Sequence, residues 1–156
     1  MKILLKQLSS LVLPAAALIG IPLCIESDFT PGSSTAAYAG MIMGGAGLVL
    51  MVISVGTMVR FGRGTLAPWA PAEHLVTQGI YSKVRNPMIT GAVMILVGEA
   101  LVFQSIPIAL WALLFFITNT VYIRYVEEPI LCRRFPGIYA QYAQRVPRWI
   151  PRFRQS

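Results

Sequence analysis

Two short polar stretches interrupt an otherwise apolar chain and carry groups that could bind a charged ligand. The first, Lys83-Val84-Arg85-Asn86-Pro87, ends in a dipeptide typical of a helix start, because asparagine is a favoured N-cap and proline suits the first helical position. A helix N-terminus exposes N–H groups without partners, and Arg85 adds a full positive charge beside them. This stretch therefore suits an anion such as a carboxylate.

The second stretch, Glu127-Glu128-Pro129, supplies the opposite charge. Proline disfavours helical geometry at the residue before it, so we expect the helix to kink or break there. One carboxylate could then turn back toward the first stretch. Arg124 lies one helical turn earlier, and a surface ion pair between Arg124 and these carboxylates is the simpler interpretation. The sequence leaves both interpretations open.

Membrane helices are the elements that position these stretches. Of the 156 residues, 56% are apolar and only 12% are charged, which is more apolar surface than one small soluble core hides. Four segments have the length and composition expected for crossing a bilayer core of about 30 Å. They are residues 8–25, 36–59, 87–103 and 106–125.

The connections between these segments complete the predicted fold. The turn between the third and fourth segments is tight, so they form one helical hairpin, while a polar loop precedes the hairpin and short amphipathic pieces follow it. The sequence thus predicts an all-α integral membrane protein that forms a single membrane domain over residues 1–156. It has about four transmembrane helices, a cytoplasmic interfacial loop and short C-terminal amphipathic helices.

The basic residues fix the predicted orientation. All 13 Lys and Arg residues lie before the first span, between the second and third, or in the C-terminal part from Arg124 onward. Basic residues favour the cytoplasmic side, so both termini are predicted to be cytoplasmic. The net charge of +7 is explained by this topology, and the expected partner is the lipid bilayer and not nucleic acid. Glu26 and Asp28 follow the first span, whose length argues against a cleaved signal peptide.

Several polar or small residues inside the spans have structural interpretations. Gly40 and Gly44 have the spacing of a close helix contact. Glu99 could accept a hydrogen bond from the indole of Trp111 across the hairpin, or it could have a proton-linked or substrate-contacting role. Cys24 and Cys132 fall at opposite membrane faces, and His74 is the single histidine, so no metal site is expected.

One pattern resembles a known family of membrane enzymes. The stretch HLVTQGIYSKVRNPMITG (74–91), followed by EEPILCRRFPGIYAQYAQRVPRWIP (127–151), resembles the isoprenylcysteine carboxyl methyltransferase family and the related phospholipid methyltransferases. The similarity covers about half the chain, residues 75–151, and implies a cofactor-binding half over residues 74–151. The resemblance implies an integral-membrane enzyme that uses S-adenosylmethionine on the cytosolic side and transfers its methyl group to a lipophilic acceptor.

The resemblance also assigns residues. One set would bind S-adenosylmethionine, whose ammonium and carboxylate need an anionic and a cationic locus, although the sequence does not fix which end meets which. Arg85 and Arg124 would handle the acceptor, and no catalytic base is assigned, with Tyr81, Glu128 and His74 as candidates. The cofactor-binding set is His74, Leu75, Val76, Tyr81, Asn86, Pro87, Met88, Ile89, Glu127 and Glu128.

Two positions depart from the Arg-His-Pro-x-Tyr motif of this family. Asn86 stands in place of the histidine and Ile89 in place of the tyrosine, so an imidazole and a phenol are both missing. Asparagine can still cap a helix and donate a hydrogen bond, whereas isoleucine cannot replace a hydroxyl. These two changes favour one alternative, a non-catalytic membrane interaction protein with a degenerate pocket. A second alternative is an NADPH-dependent membrane reductase, because membrane sterol reductases resemble this hairpin and its motif.

Overall fold

The computed structural model describes residues 14–27, 29–62 and 74–150, and within these ranges the chain forms helices and turns without a β-strand. The predicted all-α class is confirmed. The helices are α1 (Ala16–Ile25), α2 (Thr35–Gly62), α3 (Pro87–Phe103), α4 (Ile106–Arg134) and α5 (Ile138–Arg145), with a 3₁₀ turn at Gly79–Ser82 before α3.

Two of these helices are long and apolar enough to cross a membrane, namely α2 with 28 residues and α4 with 29. Helix α3 has the predicted bounds, whereas α4 continues past its predicted end at Tyr125 as far as Arg134. Helices α1 and α3 are apolar but shorter, and residues 8–13 of the first predicted span lie outside the described residues. The four-span topology therefore stays a prediction.

The long helices present large apolar side chains on their outer surface. The side chain of Ile42 on α2 is 75% exposed, and Ile106 and Leu110 at the start of α4 are also exposed. A continuous apolar surface of this kind is rare on soluble monomers and is solvated by lipid chains in a membrane. The described helices therefore suit a bilayer.

Helix α2 packs against α3 through glycines at matching positions. A Cβ added to Gly47 would lie 2.6 Å from the carbonyl oxygen of Gly91, and one added to Gly40 would lie 2.6 Å from that of Gly98. The backbones approach so closely that no side chain fits between them. The predicted use of this face in helix packing is confirmed: a Cβ added to Gly98 would lie 2.7 Å from the carbonyl oxygen of Gly40 and 2.8 Å from the nitrogen of Gly44. Gly47, seven residues after Gly40, extends the contact, whereas a Cβ added to Gly44 itself would meet nothing within 4 Å.

The hairpin between α3 and α4 is as tight as predicted. Gln104 ends α3 in the left-handed conformation, with φ of 52°, and Ser105 caps α4 by accepting a hydrogen bond from the N–H of Ile108 at 3.3 Å. Pro107 follows within the first turn, where its missing N–H costs nothing. The two helices therefore turn back on each other within two residues.

A π turn at Ala16–Gly20 begins helix α1 and exposes one backbone carbonyl. The N–H of Ile21 bonds to the oxygen of Ala16, five residues earlier, but the next residue, Pro22, has no N–H to offer Ala17. The indole Nε1 of Trp111 on α4 donates to the oxygen of Ala17 at 2.9 Å instead. This bond ties α1 to the hairpin.

The predicted hydrogen bond between Glu99 and Trp111 is therefore wrong. An indole has a single N–H, and that of Trp111 is already engaged with Ala17. The Oε2 atom of Glu99 is buried without a hydrogen-bond partner among the described residues. Spacing from the hairpin turn predicts that the two side chains lie at one depth, but it does not reveal that a carbonyl on α1 competes for the indole.

Gly47→Ala tests the contact between α2 and α3. The new Cβ would meet the backbone of Gly91, so the helices must move apart, and we expect the protein to lose about 1 to 3 kcal/mol of stability. Gly45→Ala is the matched control, because a Cβ there meets nothing within 4 Å and alanine favours the helix. Thermal unfolding of the detergent-solubilised protein measures both. Equal unfolding temperatures for the two variants would contradict the close contact.

Candidate functional site

The loop before α3 is held in place by its contact with α2. Gly79 has φ of +60°, a conformation that favours glycine, and a Cβ there would lie 3.2 Å from Cγ2 of Thr57 near the end of α2. The 3₁₀ turn that follows buries Tyr81, and Val84 is buried behind it. Arg85 and the start of α3 are thereby fixed relative to the membrane helices.

Helix α5 also holds this loop in place, through packing and one hydrogen bond. Tyr139, Tyr142 and Val146 are spaced to share one helical face, and all three are buried. The hydroxyl of Tyr142 donates to the carbonyl oxygen of Tyr81 at 2.7 Å. Ile138, at the start of α5, lies outside this face and is exposed.

After α5 the chain crosses the start of α3. The N–H of Arg85 donates to the carbonyl oxygen of Pro147 at 2.9 Å, and Nδ2 of Asn86 donates to that of Arg148 at 3.4 Å. Asn86 stands at the N-cap position as predicted, but its side chain does not cap the helix. The amide anchors the C-terminal segment instead, which corrects the expected capping role.

Helix α4 does not break before Pro129, so the break that the sequence offered as one expectation does not occur. It widens into a π turn at Ile123–Glu127 and continues as an α-helix through Glu128–Arg134. The wide turn accommodates a proline that has no N–H and whose ring would collide with the preceding turn of a regular helix. The expectation that one carboxylate turns toward the loop is correct, and that carboxylate belongs to Glu128.

Glu128 is the centre of a half-buried ion cluster. Its Oε1 lies 2.9 Å from Nη1 of Arg85, and its Oε2 lies 2.9 Å from Nη2 of Arg148. Arg148 Nε also donates to Oε1 at 2.9 Å, which makes this pair bidentate. The side chains of Arg85 and Glu128 are only 12% and 17% exposed. The hydrogen bond to Glu128 raises the pKa of Arg148, so this guanidinium stays charged.

Glu127, the neighbouring carboxylate, is left out of this pairing. Within the described residues it makes no ion pair, while Glu128 binds two arginines. Burial, and then the charge of Glu127, raises the pKa of Tyr81 to about 12, which places this carboxylate near the Tyr81 phenol. Burial also raises the pKa of Tyr139, as do the charges of Glu128 and Glu127. Both tyrosines are therefore neutral near pH 7.

The positive wall of the site, formed by Arg85 and the start of α3, also has hydrogen-bond donors without a partner in the described part of the chain. Arg85 donates from Nη1 to Glu128 and, at 3.3 Å, to the hydroxyl of Tyr139, but its buried Nε has no hydrogen-bond partner among the described residues. At the start of α3 the N–H groups of Met88 and Ile89 have no carbonyl within the helix to bind. Oxygen atoms of an anion would satisfy such donors.

The structure brings together most residues that the resemblance assigned. Arg85, Asn86 and Glu128 belong to one hydrogen-bonded cluster, and Leu75 packs against the buried face of α5. Val76, Tyr81 and Pro87 are buried, Met88 and Ile89 are half-buried, and His74 is exposed.

Arg124 is not joined to this cluster. Its guanidinium lies over the ring of Tyr125, 5.7 Å from the centroid, and the predicted ion pair with Glu127 or Glu128 is absent from the described residues. The π turn explains the difference, because the spacing that would align Arg124 with Glu128 applies to a regular helix. Arg85 and Arg148 take the place that the sequence analysis gave to Arg124.

Sequence reasoning gave no role at the site to three residues: Arg148 and Tyr139, which belong to the cluster, and Tyr142, which bonds to the loop at Tyr81. The spacing of Tyr139, Tyr142 and Val146 could have identified the buried face of α5, since it follows the helical period. Arg148 carries no comparable signal. It is one of several arginines near the C-terminus, and only the fold brings it to Glu128.

Comparison with known proteins agrees with the resemblance noted in the sequence. The family model described as phospholipid methyltransferase matches residues 35–137, a segment that includes α2, the loop, α3, α4 and both glutamates. Searches of curated proteins and of solved structures found no match. Because the family match covers more than half of the chain, this protein belongs to the phospholipid methyltransferase family.

Proposed function

We propose that this protein is an S-adenosylmethionine-dependent methyltransferase that acts on a lipophilic acceptor at the cytoplasmic face of a membrane. Membership of the phospholipid methyltransferase family supports methyl transfer, and the apolar helices α2 and α4 support a membrane location. The cofactor, the acceptor and the cytoplasmic orientation of both termini are parts of the proposal. They are supported by the charges of the site and by the distribution of basic residues.

One observation carries the proposal. The cluster around Glu128 holds a negative group without an ionic partner, Glu127, and a buried positive group with an unused donor, the Nε of Arg85. When both carboxylates are ionised, the four charges of Arg85, Arg148, Glu127 and Glu128 sum to zero. Such a site suits a ligand that carries an ammonium and a carboxylate on the same carbon, as the methionine part of S-adenosylmethionine does.

The pairing within the cluster assigns the two ends of this ligand. Glu128 is already neutralised by two guanidinium groups, so Glu127 is the carboxylate that would hold the ammonium. The Nε of Arg85 and the N–H groups at the start of α3 would hold the carboxylate. The proposal thus chooses one of the two orientations that the sequence left open.

The residues of the site would mainly orient the reactants and exclude water. S-adenosylmethionine supplies a methyl group on a sulfonium that needs no further activation. Val76 and Tyr81 are too buried to offer much surface, so they would support the wall of the pocket, while Met88 and Ile89 would line it. Positioning of this kind supplies a large part of the rate in reactions between two bound molecules.

The acceptor is proposed to be lipophilic and to approach from the bilayer. An open groove of about 430 Å³ lies between α3 and α4, and its lining is mostly apolar, with Val93, Val97, Leu101 and Phe116 among the residues. The groove reaches the hairpin turn at residues 104–106, at the other end of the helices from Asn86 and Glu128, so the proposed lipophilic acceptor rests on the exposed apolar helices and the family match and not on this groove. These observations do not choose among a prenylcysteine carboxylate, a phospholipid amine and a hydrophobic thiol. Arg124, which is exposed at the end of the hairpin, is the candidate for contact with the acceptor's head group.

The two alternatives have less support. A reductase that binds NADPH is not favoured by a family match to methyltransferases. A non-catalytic protein with a degenerate pocket rests on the changes at Asn86 and Ile89. Asn86 retains a hydrogen-bonding role, however, because its amide anchors the carbonyl of Arg148 at the site.

Glu127→Gln is expected to weaken binding of S-adenosylmethionine by about 10- to 100-fold, because a charge-assisted hydrogen bond contributes about 1.5 to 3 kcal/mol. The change keeps the size of the side chain and breaks no ion pair among the described residues, so the unfolding temperature should change little. Isothermal titration calorimetry on the purified protein measures the affinity.

Arg124→Ala is the control for this measurement. It removes a charge of the same helix that lies over Tyr125 and outside the cluster, so the affinity for S-adenosylmethionine should stay within about twofold of the parent. Normal affinity in Glu127→Gln would show that the ammonium is held elsewhere. A larger loss in Arg124→Ala than in Glu127→Gln would contradict the assigned site.

Incubation with a methyl-labelled donor tests the reaction itself. The purified protein, mixed with methyl-labelled S-adenosylmethionine and fractionated membrane lipids, is expected to transfer label to a lipid-soluble product that mass spectrometry identifies. The Glu127→Gln variant should label the same product with a raised KM for the donor. Donor binding without any labelled product, across all lipid fractions, would favour the non-catalytic alternative, and binding of NADPH in its place would favour the reductase.

A further inference from the structure

We infer that Pro129 is a positioning residue: the π turn that it imposes on α4 decides which of two adjacent carboxylates pairs with Arg85 and Arg148. Without that turn, Glu127 would take the ion pairs that Glu128 makes. The inference concerns the division of roles between the two glutamates. The register of helix α4 supports it, whatever ligand the site binds.

The buried face of α4 shifts by one residue at the π turn. Ile108, Ala112 and Ile123 are buried and follow the helical period, so a regular helix would place Ile130, seven residues after Ile123, on the same face. Ile130 is instead 53% exposed, and its neighbour Leu131 packs against the buried residues of α5. One residue corresponds to a rotation of about 100° around the helix axis.

The same shift places Glu128 beneath Ile123. The N–H of Glu128 donates to the carbonyl oxygen of Ile123, five residues earlier, so these residues are stacked along one face. In a regular helix the residue stacked on Ile123 would be four residues later, which is Glu127. Glu128 would then be rotated away from Arg85 and Arg148 by about 100°.

Pro129 explains why the turn is wide. It has no N–H, and its ring would collide with the carbonyl of Tyr125 in a regular helix. The chain contains a second example that supports this cause. The π turn at Ala16–Gly20 is also followed by one residue and then a proline, Pro22, and again the residue before the proline bonds to a carbonyl five positions earlier. The two turns share the position of the proline and little else in sequence.

Pro129→Ala should let the π turn relax into a regular helix, and stability measurements can detect the exchange of partners. In the parent protein, Glu128→Gln should lower the unfolding temperature by at least about 5 °C, because it weakens a half-buried pairing with two arginines, and Glu127→Gln should lower it much less. In the Pro129→Ala protein this order should reverse, so that Glu127→Gln lowers the unfolding temperature more than Glu128→Gln does. This readout requires no ligand.

Deletion of Val126 from the Pro129→Ala protein should restore the ion pairs of Glu128. This exposed residue lies within the π turn, and its removal from the Pro129→Ala protein would return Glu128 to the position beneath Ile123 through a regular helix. The combined variant should recover the parent order of the two glutamine substitutions. A control variant, Ile130→Ala, lies on the exposed face beside Pro129 and should leave that order unchanged.

Each outcome decides the inference. A reversed order in Pro129→Ala that is restored by deleting Val126 supports it, as does a failure to fold that the deletion repairs. An unchanged order in Pro129→Ala overturns it, and so does a failure to fold or a reversed order that the deletion does not repair.

Affinity for S-adenosylmethionine should fall in Pro129→Ala and recover in the rescued variant. If the parent binds no S-adenosylmethionine, the proposed function fails while the stability test still judges Pro129.

Discussion

The carboxylate of Glu128 joins three parts of the chain that are distant in sequence. A buried carboxylate without partners costs several kcal/mol, and two guanidinium groups, one of them bidentate, offset that cost here. Arg85 belongs to the loop before α3, Glu128 to the end of α4, and Arg148 to the segment after α5. The site therefore exists only when all three parts are folded against one another.

The membrane helices provide the frame on which this cluster is built. The glycine contacts between α2 and α3 fix the distance between the two helices, and Thr57 near the end of α2 meets the loop at Gly79. The loop then leads directly into Arg85 and α3. A change in the α2–α3 contact would consequently be transmitted to the positive wall of the site through this loop. The frame and the site are linked by packing, and the glycines matter for both.

The sequence predicted the helices of the fold better than the details of the site. Apolar segments and a proline after Asn86 were enough to locate α3, because the helix start and the hairpin turn are local features. The partner of Trp111 and the role of Arg148 depend on contacts between distant segments, which periodicity does not encode. The continuation of α4 through Pro129 was also missed, since local rules predict a break at a proline and do not predict the π turn that avoids it.

The departure from the family motif at Asn86 has a physical interpretation in the structure. An imidazole at this position could lose or gain a proton near neutral pH, whereas the amide of asparagine has no ionisable group. The Asn86 amide donates to the backbone carbonyl of Arg148, the residue whose guanidinium binds Glu128. The anchor of the C-terminal segment is thus independent of pH over the range in which a histidine would titrate. The chain keeps the hydrogen bond that assembles the site and gives up a proton-transfer group, so any base that the reaction requires must come from another residue or from the acceptor itself.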